Sequence, residues 1–164
     1  MHHFERRLTL PVPRQQLFAW HERPGAFERL APSWEDLEIV ARHGGIHDGA
    51  RLHFRMRQGP FAVDWIARHQ GYAPPQRFED VAERSPFSTW HHVHRFEAVD
   101  DEHSTLIDGV DYELPFAAIA DPLVGATVER MLERMFRQRH LRTTNDLRRH
   151  LAYADRPPLR IAVA

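Results

Sequence analysis

The chain has 164 residues, a net charge of −1 and no cysteine. A single domain of this length buries roughly 70% of the surface that its unfolded chain exposes, which is enough for a sizeable core. The near-neutral charge disfavours a nucleic-acid-binding protein, and the lack of cysteine excludes disulfides and thiolate chemistry. No apolar run approaches the ~20 residues of a membrane-spanning helix and no signal peptide opens the sequence, so we expect a cytoplasmic protein without membrane insertion.

The first 30 residues predict one strand followed by two short helices. Residues 4–10 alternate between apolar and polar side chains, which is typical of a half-buried strand. Pro13 suits the first turn of a helix, and apolar residues then follow at helical spacing. Pro24-Gly25 ends this helix, and a second short helix, residues 26–30, follows. We expect the two helices to form a notch.

The hydrophobic period changes to two after this notch, which indicates six further strands. Glycine- and proline-containing turns separate the apolar runs, and such short turns join antiparallel neighbours. The sequence therefore predicts an antiparallel meander. Its strands lie at about residues 37–42, 52–57, 61–69, 77–83, 90–96 and 105–114.

One long helix, about Asp121 to Leu151, is predicted after the last strand. Asp121 is a suitable N-cap and Pro122 a suitable first helical residue. A buried stripe is predicted from apolar residues at three- and four-residue spacing: Val124, Val128, Leu132, Met135 and Phe136. The meander must cover one face, and this is the only predicted element long enough to do so. We predict an α+β fold of about seven strands in the order β-α-α-β6-α.

Several sequence blocks carry a resemblance to a known superfamily. They are HERPGAFERL at residues 21–30 with Pro32 and Trp34, Trp90-x-His92-x-His94-x-Phe96, Asp108-x-Val110-x-Tyr112-x-Leu114-Pro115, and Phe136-x-x-Arg139-His140. In this order they resemble the START/SRPBCC superfamily, which includes the birch pollen allergen, lipid-transfer domains and polyketide cyclase/dehydrase-like proteins. The resemblance covers residues 3–152. It implies a helix-grip fold, in which a bent antiparallel sheet wraps around the C-terminal helix and encloses a ligand-sized cavity.

The same resemblance suggests how the chain is divided. Residues 1–152 are assigned to the helix-grip ligand-binding domain, and residues 153–164 to a C-terminal linker or tail. The resembling subgroup often precedes an epimerase-like Rossmann domain, and residues 159–163 match a buried first strand of such a domain. The glycine-rich phosphate loop of that domain does not follow before Ala164. A fragment of a two-domain protein and an ordinary C-terminus therefore both stay open.

Residues 90–96 contain the sharpest chemical pattern. Side chains of a strand alternate, so His92 and His94 point to the same side, which in a helix-grip fold faces the cavity. Asp80 and Asp108 lie on neighbouring strands and can hold an imidazole N–H. These four residues are the candidate catalytic groups.

Three interpretations of this pattern stay open. The histidines and aspartates can form a satisfied structural network, they can orient a ligand in the cavity, or His92-x-His94 can bind a metal ion. A metal site requires a third ligand such as His69, so we expect no metal and no cofactor. No serine lies in a nucleophile-elbow context, which disfavours a hydrolytic triad.

A cavity wall of aromatic and polar side chains is predicted from the strand faces and the helix stripe. A plain core is the alternative interpretation of the same residues, because core and cavity lining share one composition. The predicted ligand-binding residues are Trp65, His69, Trp90, His92, His94, Phe96, Asp108, Tyr112, Phe54, Met56 and Arg139, with Phe61 as a further apolar member. Arg139 is expected to pair with a cavity carboxylate or an acidic ligand. His21 and Trp34 either gate the entrance or serve ordinary helix packing.

Three functions compete at this stage. The leading one is a module that binds a small hydrophobic or amphipathic molecule in the cavity. The second is a cyclase/dehydrase-like enzyme that uses histidine as acid and base, and the third is an accessory domain docked on an epimerase-like partner. A homodimer also stays open. The outward arginines of the long helix indicate either a solvated face interleaved with acidic residues or an anion-binding patch.

Overall fold

The computed structural model describes residues 1–58, 61–115 and 122–157. Within these ranges the chain forms seven strands and three helices, in the predicted order. They are β1 (His2–Leu10), α1 (Arg14–Glu22), α2 (Ala26–Leu30), β2 (Asp36–His43), β3 (Arg51–Gln58), β4 (Phe61–Ala73), β5 (Arg77–Arg84), β6 (Thr89–Ala98), β7 (Ser104–Glu113) and α3 (Pro122–Ala152). The predicted helix-grip α+β fold is confirmed. The predicted N-cap Asp121 and the tail strand at residues 159–163 lie outside the described residues.

The strands form one antiparallel sheet in the order β1-β7-β6-β5-β4-β3-β2. Strands β2 to β7 follow one another as the predicted meander, and β1 pairs with β7 at the far edge. The register places Asp80 directly opposite His92, and His94 directly opposite Asp108. Cross-strand pairing therefore brings the candidate polar residues together on adjacent strands.

Irregular pairing between β4 and β5 bends the sheet. The register shifts between Ile66 and Ala67 and again between Gln70 and Ala73, and such bulges kink a strand and increase its twist. Gly71 lies in the second bulge with φ of 62°, and a Cβ there would approach a Glu79 carboxylate oxygen to 2.7 Å. The positive φ therefore favours glycine at this bulge, and a larger residue would also have to displace the Glu79 side chain.

Two apolar clusters fill the interior. The larger lies between the sheet and α3, where Leu132 and Phe136 of the predicted helix stripe are fully buried against residues such as Phe4 and Trp90. Each such side chain contributes about 1.5–3 kcal/mol on burial. The second cluster lies beneath α1 and includes Phe18. No helix among the described residues has the length and apolar character to span a membrane.

An ion pair joins α2 to α3. Arg29 of α2 donates from Nε to the Asp146 carboxylate of α3 at 2.9 Å, and Asp146 is 8% exposed. The hydrogen bond from Arg29 lowers the pKa of Asp146, although partial burial opposes the shift. Half of the Arg29 side chain stays in solvent, so we expect a modest contribution to stability.

The Asp146→Asn variant tests this ion pair through its pH dependence. We expect it to lower the free energy of unfolding by about 1 kcal/mol at pH 7. Because the pKa of Asp146 is lower in the folded chain, its stabilisation is lost as the pH falls below about 4, where the unfolded carboxylate protonates first. Urea unfolding of both proteins from pH 7 to 3 should show the two curves converging in acid. A difference that stays constant over this range would contradict the assignment.

Candidate functional site

A cavity of about 740 Å³ lies between the bent sheet, α2 and α3. This volume falls within the range of small-molecule pockets, and most of the cavity wall is apolar. Its sheet side is formed by aromatic residues of β3, β4 and β6, whose rings pack against one another. Phe54 and Trp65 stack with ring centres 5.8 Å apart, and Trp65 meets Trp90 edge to face at 5.1 Å. Met131 and Met135 of α3 contribute to the opposite wall.

Trp34 and Arg134 meet at the rim of this cavity. The guanidinium carbon of Arg134 lies 4.0 Å from the centre of the Trp34 ring, and 40% of Trp34 is exposed. His21, the other predicted gate residue, also lines the cavity, but it is 5% exposed and its Nδ1 contacts the Leu17 carbonyl at 2.8 Å. Trp34 thus lies at the entrance, whereas His21 belongs to the inner wall.

Asp108 is the centre of a buried polar network. This side chain is 3% exposed. His140 Nε2 lies 2.7 Å from one of its carboxylate oxygens, and His92 Nε2 lies 3.1 Å from the other. The Nδ1 of His94 is 2.8 Å from that second oxygen but is not aligned for a hydrogen bond. Three imidazoles, two from β6 and one from α3, therefore surround one buried carboxylate.

Asp80 closes the network on the cavity side. Its Oδ2 lies 3.3 Å from His92 Nδ1 and 3.4 Å from His94 Nε2. His92 thus has one ring nitrogen toward each aspartate, as does His94. All three side chains line the cavity.

The network holds both aspartates ionised. Burial alone would raise the pKa of Asp80 and of Asp108, but the neighbouring histidines outweigh burial and hold both pKa values well below the ordinary range. Burial likewise would lower the pKa of His92, yet the two aspartates raise it. The polar end of the cavity is therefore a set of coupled charges in a low-dielectric interior.

Other titratable groups on the wall respond mainly to burial. Burial lowers the pKa of His69, and it lowers the pKa of His21 to about 4. Burial also lowers the pKa of Arg139, while Asp108 and Asp80 oppose that shift. Within the described residues, His69 Nδ1 and Arg139 Nε are buried without a hydrogen-bond partner. Arg139 Nε can donate a hydrogen bond to a molecule in the cavity, and His69 Nδ1 can donate or accept one according to its tautomer.

Most of the predicted ligand-binding residues meet at this cavity. Those on its wall are Phe54, Met56, Trp65, His69, Trp90, His92, His94 and Arg139, together with the candidate catalytic residue Asp80. Asp108 lies behind the wall, where it contacts the histidines. Tyr112 packs edge to face against Phe87 at 5.6 Å, and is not part of the wall.

Besides Tyr112, two further aromatic residues lie elsewhere than predicted. Phe96 does not line the cavity, because α1 covers that end of β6 and Phe18 packs edge to face on Phe96 at 5.0 Å. The prediction for Phe61 is wrong. It begins β4 and is 72% exposed, because the first residues of this strand extend past the buried part of the sheet.

His140 is the network residue that sequence reasoning did not place in the site. It follows Phe136 by four residues, and residues at this spacing share one face of a helix. The buried stripe of α3 therefore continues through His140, which is 6% exposed. Extending the stripe by one turn would have identified it.

The chain matches a known family over most of its length. Residues 10–136 match the family described as Polyketide cyclase / dehydrase and lipid transport. The START/SRPBCC resemblance inferred from the sequence blocks is confirmed by this match and by structural neighbours. No curated protein sequence matches the chain significantly.

Three solved structures illustrate the likeness. The Zhui aromatase/cyclase from Streptomyces sp. R1128 has a TM-score of 0.71 at 15% identity, covering 94% of this chain and 98% of that one. A START superfamily protein from Mycobacterium smegmatis has a TM-score of 0.65 at 10% identity, covering 91% and 99%. The nucleoside-diphosphate sugar epimerase from Corynebacterium glutamicum has a TM-score of 0.69 at 25% identity, covering 92% of this chain but 30% of that protein.

The Asp108→Asn variant tests the buried network. We expect it to lower the free energy of unfolding by about 3 kcal/mol or more, because an amide cannot balance the buried imidazoles. Asp111→Asn is the matched control, since Asp111 lies on the same strand but is 41% exposed beside His3, and it should cost less than about 1 kcal/mol. Equal losses in chemical denaturation of the two variants would show that Asp108 does not organise the interior.

Proposed function

Because this chain belongs to the polyketide cyclase / dehydrase and lipid transport family, we propose that it binds a small, partly hydrophobic molecule in the cavity between the sheet and α3. The family and its structural neighbours share a hydrophobic ligand-binding fold. The observation that carries the proposal is the cavity itself, which is ligand-sized, mostly apolar and supplied with a few convergent polar groups.

The apolar wall favours a ligand with flat or cyclic parts. Phe54, Trp65 and Trp90 present aromatic faces and edges at ring-centre separations of 5.1 and 5.8 Å. Aromatic side chains supply large contact areas and prefer stacked or edge-to-face neighbours. The methionines of α3 adapt to irregular shapes, because the thioether chain is unbranched and polarisable.

The polar end of the cavity favours a ligand with a hydrogen-bond acceptor. Arg139 contributes a guanidinium whose buried Nε has no hydrogen-bond partner among the described residues, and its charge is permanent. The guanidinium carbon lies 5.4 Å from the Phe136 ring centre, so Arg139 is held over an aromatic face. We infer that Arg139, together with His69, His92 and His94, anchors a carboxylate, phenolate or carbonyl of the ligand.

Acid–base catalysis is the second candidate function. His94 lines the cavity with Asp80 and Asp108 against its two nitrogens, an arrangement that can move a proton to or from a bound molecule. If the chain is a cyclase/dehydrase-like enzyme, His94→Gln should reduce turnover of a polyketide-type substrate at least about 100-fold. An unchanged rate would remove His94 as the acid–base group.

A further proposal is that the chain associates with an epimerase-like domain, either on the same polypeptide or as a separate protein. The likeness to part of the Corynebacterium glutamicum epimerase supports it, because this chain corresponds to 30% of that longer protein. Association with such a domain, like homodimer formation, can be tested by analytical ultracentrifugation of the chain alone and mixed with an epimerase-like domain.

Filling the cavity should weaken binding of a neutral apolar probe. Ala67 lies on the cavity wall beside Trp65 and is 5% exposed, so Ala67→Phe should weaken phenylnaphthylamine binding at least tenfold, which corresponds to about 1.4 kcal/mol. Ala62→Phe is the control, because Ala62 lies on the same strand but is exposed and off the cavity wall. Fluorescence titration measures both. Unaltered affinity in Ala67→Phe would place the probe outside the cavity.

Removing the cavity arginine should affect anionic ligands selectively. Arg139→Gln should weaken anilinonaphthalene sulfonate by about tenfold or more, since charged hydrogen bonds contribute about 1.5–3 kcal/mol, and should leave the neutral phenylnaphthylamine nearly unchanged. Arg137→Gln, an exposed arginine on the same helix, is the control. Equal weakening of both probes by Arg139→Gln would mean that Arg139 acts through packing instead of charge.

A further inference from the structure

We propose that Asp80, His92 and His94 form a divalent-metal site on the cavity wall, with a geometry suited to Zn²⁺. The proposal goes beyond ligand binding and shares His92 and His94 with the proposed ligand site, but the metal ion itself is the probe, so the site can be tested without an organic ligand. In the sequence, the His-x-His pair has no recognisable third ligand, and this disfavours a metal site. The fold supplies the third ligand from β5.

The separations within this trio match a metal coordination shell. The Asp80 oxygen lies 3.3 Å from His92 Nδ1 and 3.4 Å from His94 Nε2, and one ligand atom from each residue lies within 4.8 Å of the others. Ligand atoms bound tetrahedrally at 2.0–2.1 Å from zinc lie about 3.3–3.4 Å from one another. N–H···O hydrogen bonds are typically shorter, at about 2.7–3.2 Å. The two separations from Asp80 therefore fit a shared ion, in whose absence His94 Nε2 stays within hydrogen-bond reach of Asp80 at 3.4 Å.

Asp108 occupies the position of an orienting carboxylate behind the two histidines. It is hydrogen-bonded to His92 Nε2 at 3.1 Å and lies 2.8 Å from His94 Nδ1 without hydrogen-bond alignment, so the opposite nitrogens of both rings are left for the ion. Metal-binding histidines commonly direct the second ring nitrogen to a carboxylate, which fixes the ring and its tautomer. His140 Nε2 in turn lies within hydrogen-bond distance of the other Asp108 carboxylate oxygen, at 2.7 Å. The inner and outer parts of a metal site are thus both present.

The surroundings favour an ion that keeps one position open. The three ligands line the cavity, and three protein ligands with an open fourth position are typical of reactive zinc sites. His69, paired in register with Asp80, adds to the same wall a buried Nδ1 that has no hydrogen-bond partner in the described part of the chain. Two carboxylates, Asp80 and Asp108, offset the charge of the ion, whereas Arg139 opposes it.

Metal titration of untagged protein tests the site directly. The chain is stripped with a chelator and titrated with Zn²⁺ by calorimetry and with Co²⁺ by visible absorption. We expect one ion per chain and the absorption of tetrahedral Co²⁺. Asp80→Asn and His94→Gln should each weaken Zn²⁺ binding by more than about tenfold, since even orienting residues cost 10–100-fold. His91→Gln is the matched control on the same strand, because His91 contacts Glu79 and does not line the cavity.

Two further outcomes keep the test decisive. Side-chain ¹⁵N spectra of wild type should show binding through Nδ1 of His92 and Nε2 of His94, which supports the proposal even if a variant fails to fold. No stoichiometric ion in wild type would overturn it. So would wild-type affinity in both Asp80→Asn and His94→Gln, because the ion would then sit on others of the 13 histidines.

Discussion

Asp108 is an anion held in the interior between the sheet and α3, and its position constrains the rest of the molecule. Removing a carboxylate from water costs several kcal/mol, and partners must offset this cost. Two imidazoles come from the adjacent strand β6, and the third, His140, comes from α3. The same contacts that satisfy the charge therefore attach the long helix to the sheet.

The interior consists of tightly packed parts and a cavity between them. Fully buried rings such as Phe136 and Phe96 close the parts of the interior that pack tightly. Between these parts, bulky aromatic side chains and the bent β4–β5 pair hold the sheet away from α3 and leave a cavity. Atoms lining an unfilled apolar space lose dispersion contacts. A molecule with an apolar body and one polar group would restore contacts at both ends.

Much of the architecture follows from the sequence, because period-two runs and turn residues specify the meander, and the α3 stripe specifies which helix face is buried. Strand alternation also places Trp90, His92 and His94 correctly on the inner face. Alternation cannot tell which inner residues meet the cavity, however. Phe96 points to the same side of β6 as these residues, but α1 covers it. That packing depends on residues almost 80 positions earlier in the chain.

The polar contacts were less accessible to sequence reasoning. Asp80 and Asp108 could be named as partners of the histidines because they lie on neighbouring strands, but the distances depend on strand register. Alternation gives the face of each side chain but not the offset at which β5, β6 and β7 pair, and this offset places Asp80 opposite His92 and His94 opposite Asp108. His140 depends in addition on how α3 is rotated over the sheet, which only three-dimensional packing determines.

The indole N–H resonances of the four tryptophans test the central claim most directly. ¹⁵N-labelled protein is titrated with a lipid and small-molecule extract of its expression host. The account predicts saturable shifts of Trp65 and Trp90, which line the cavity, and an unchanged signal for Trp20, which packs in the separate cluster under α1. Unchanged Trp65 and Trp90 signals, or equal shifts of all four tryptophans, would contradict ligand binding between the sheet and the long helix.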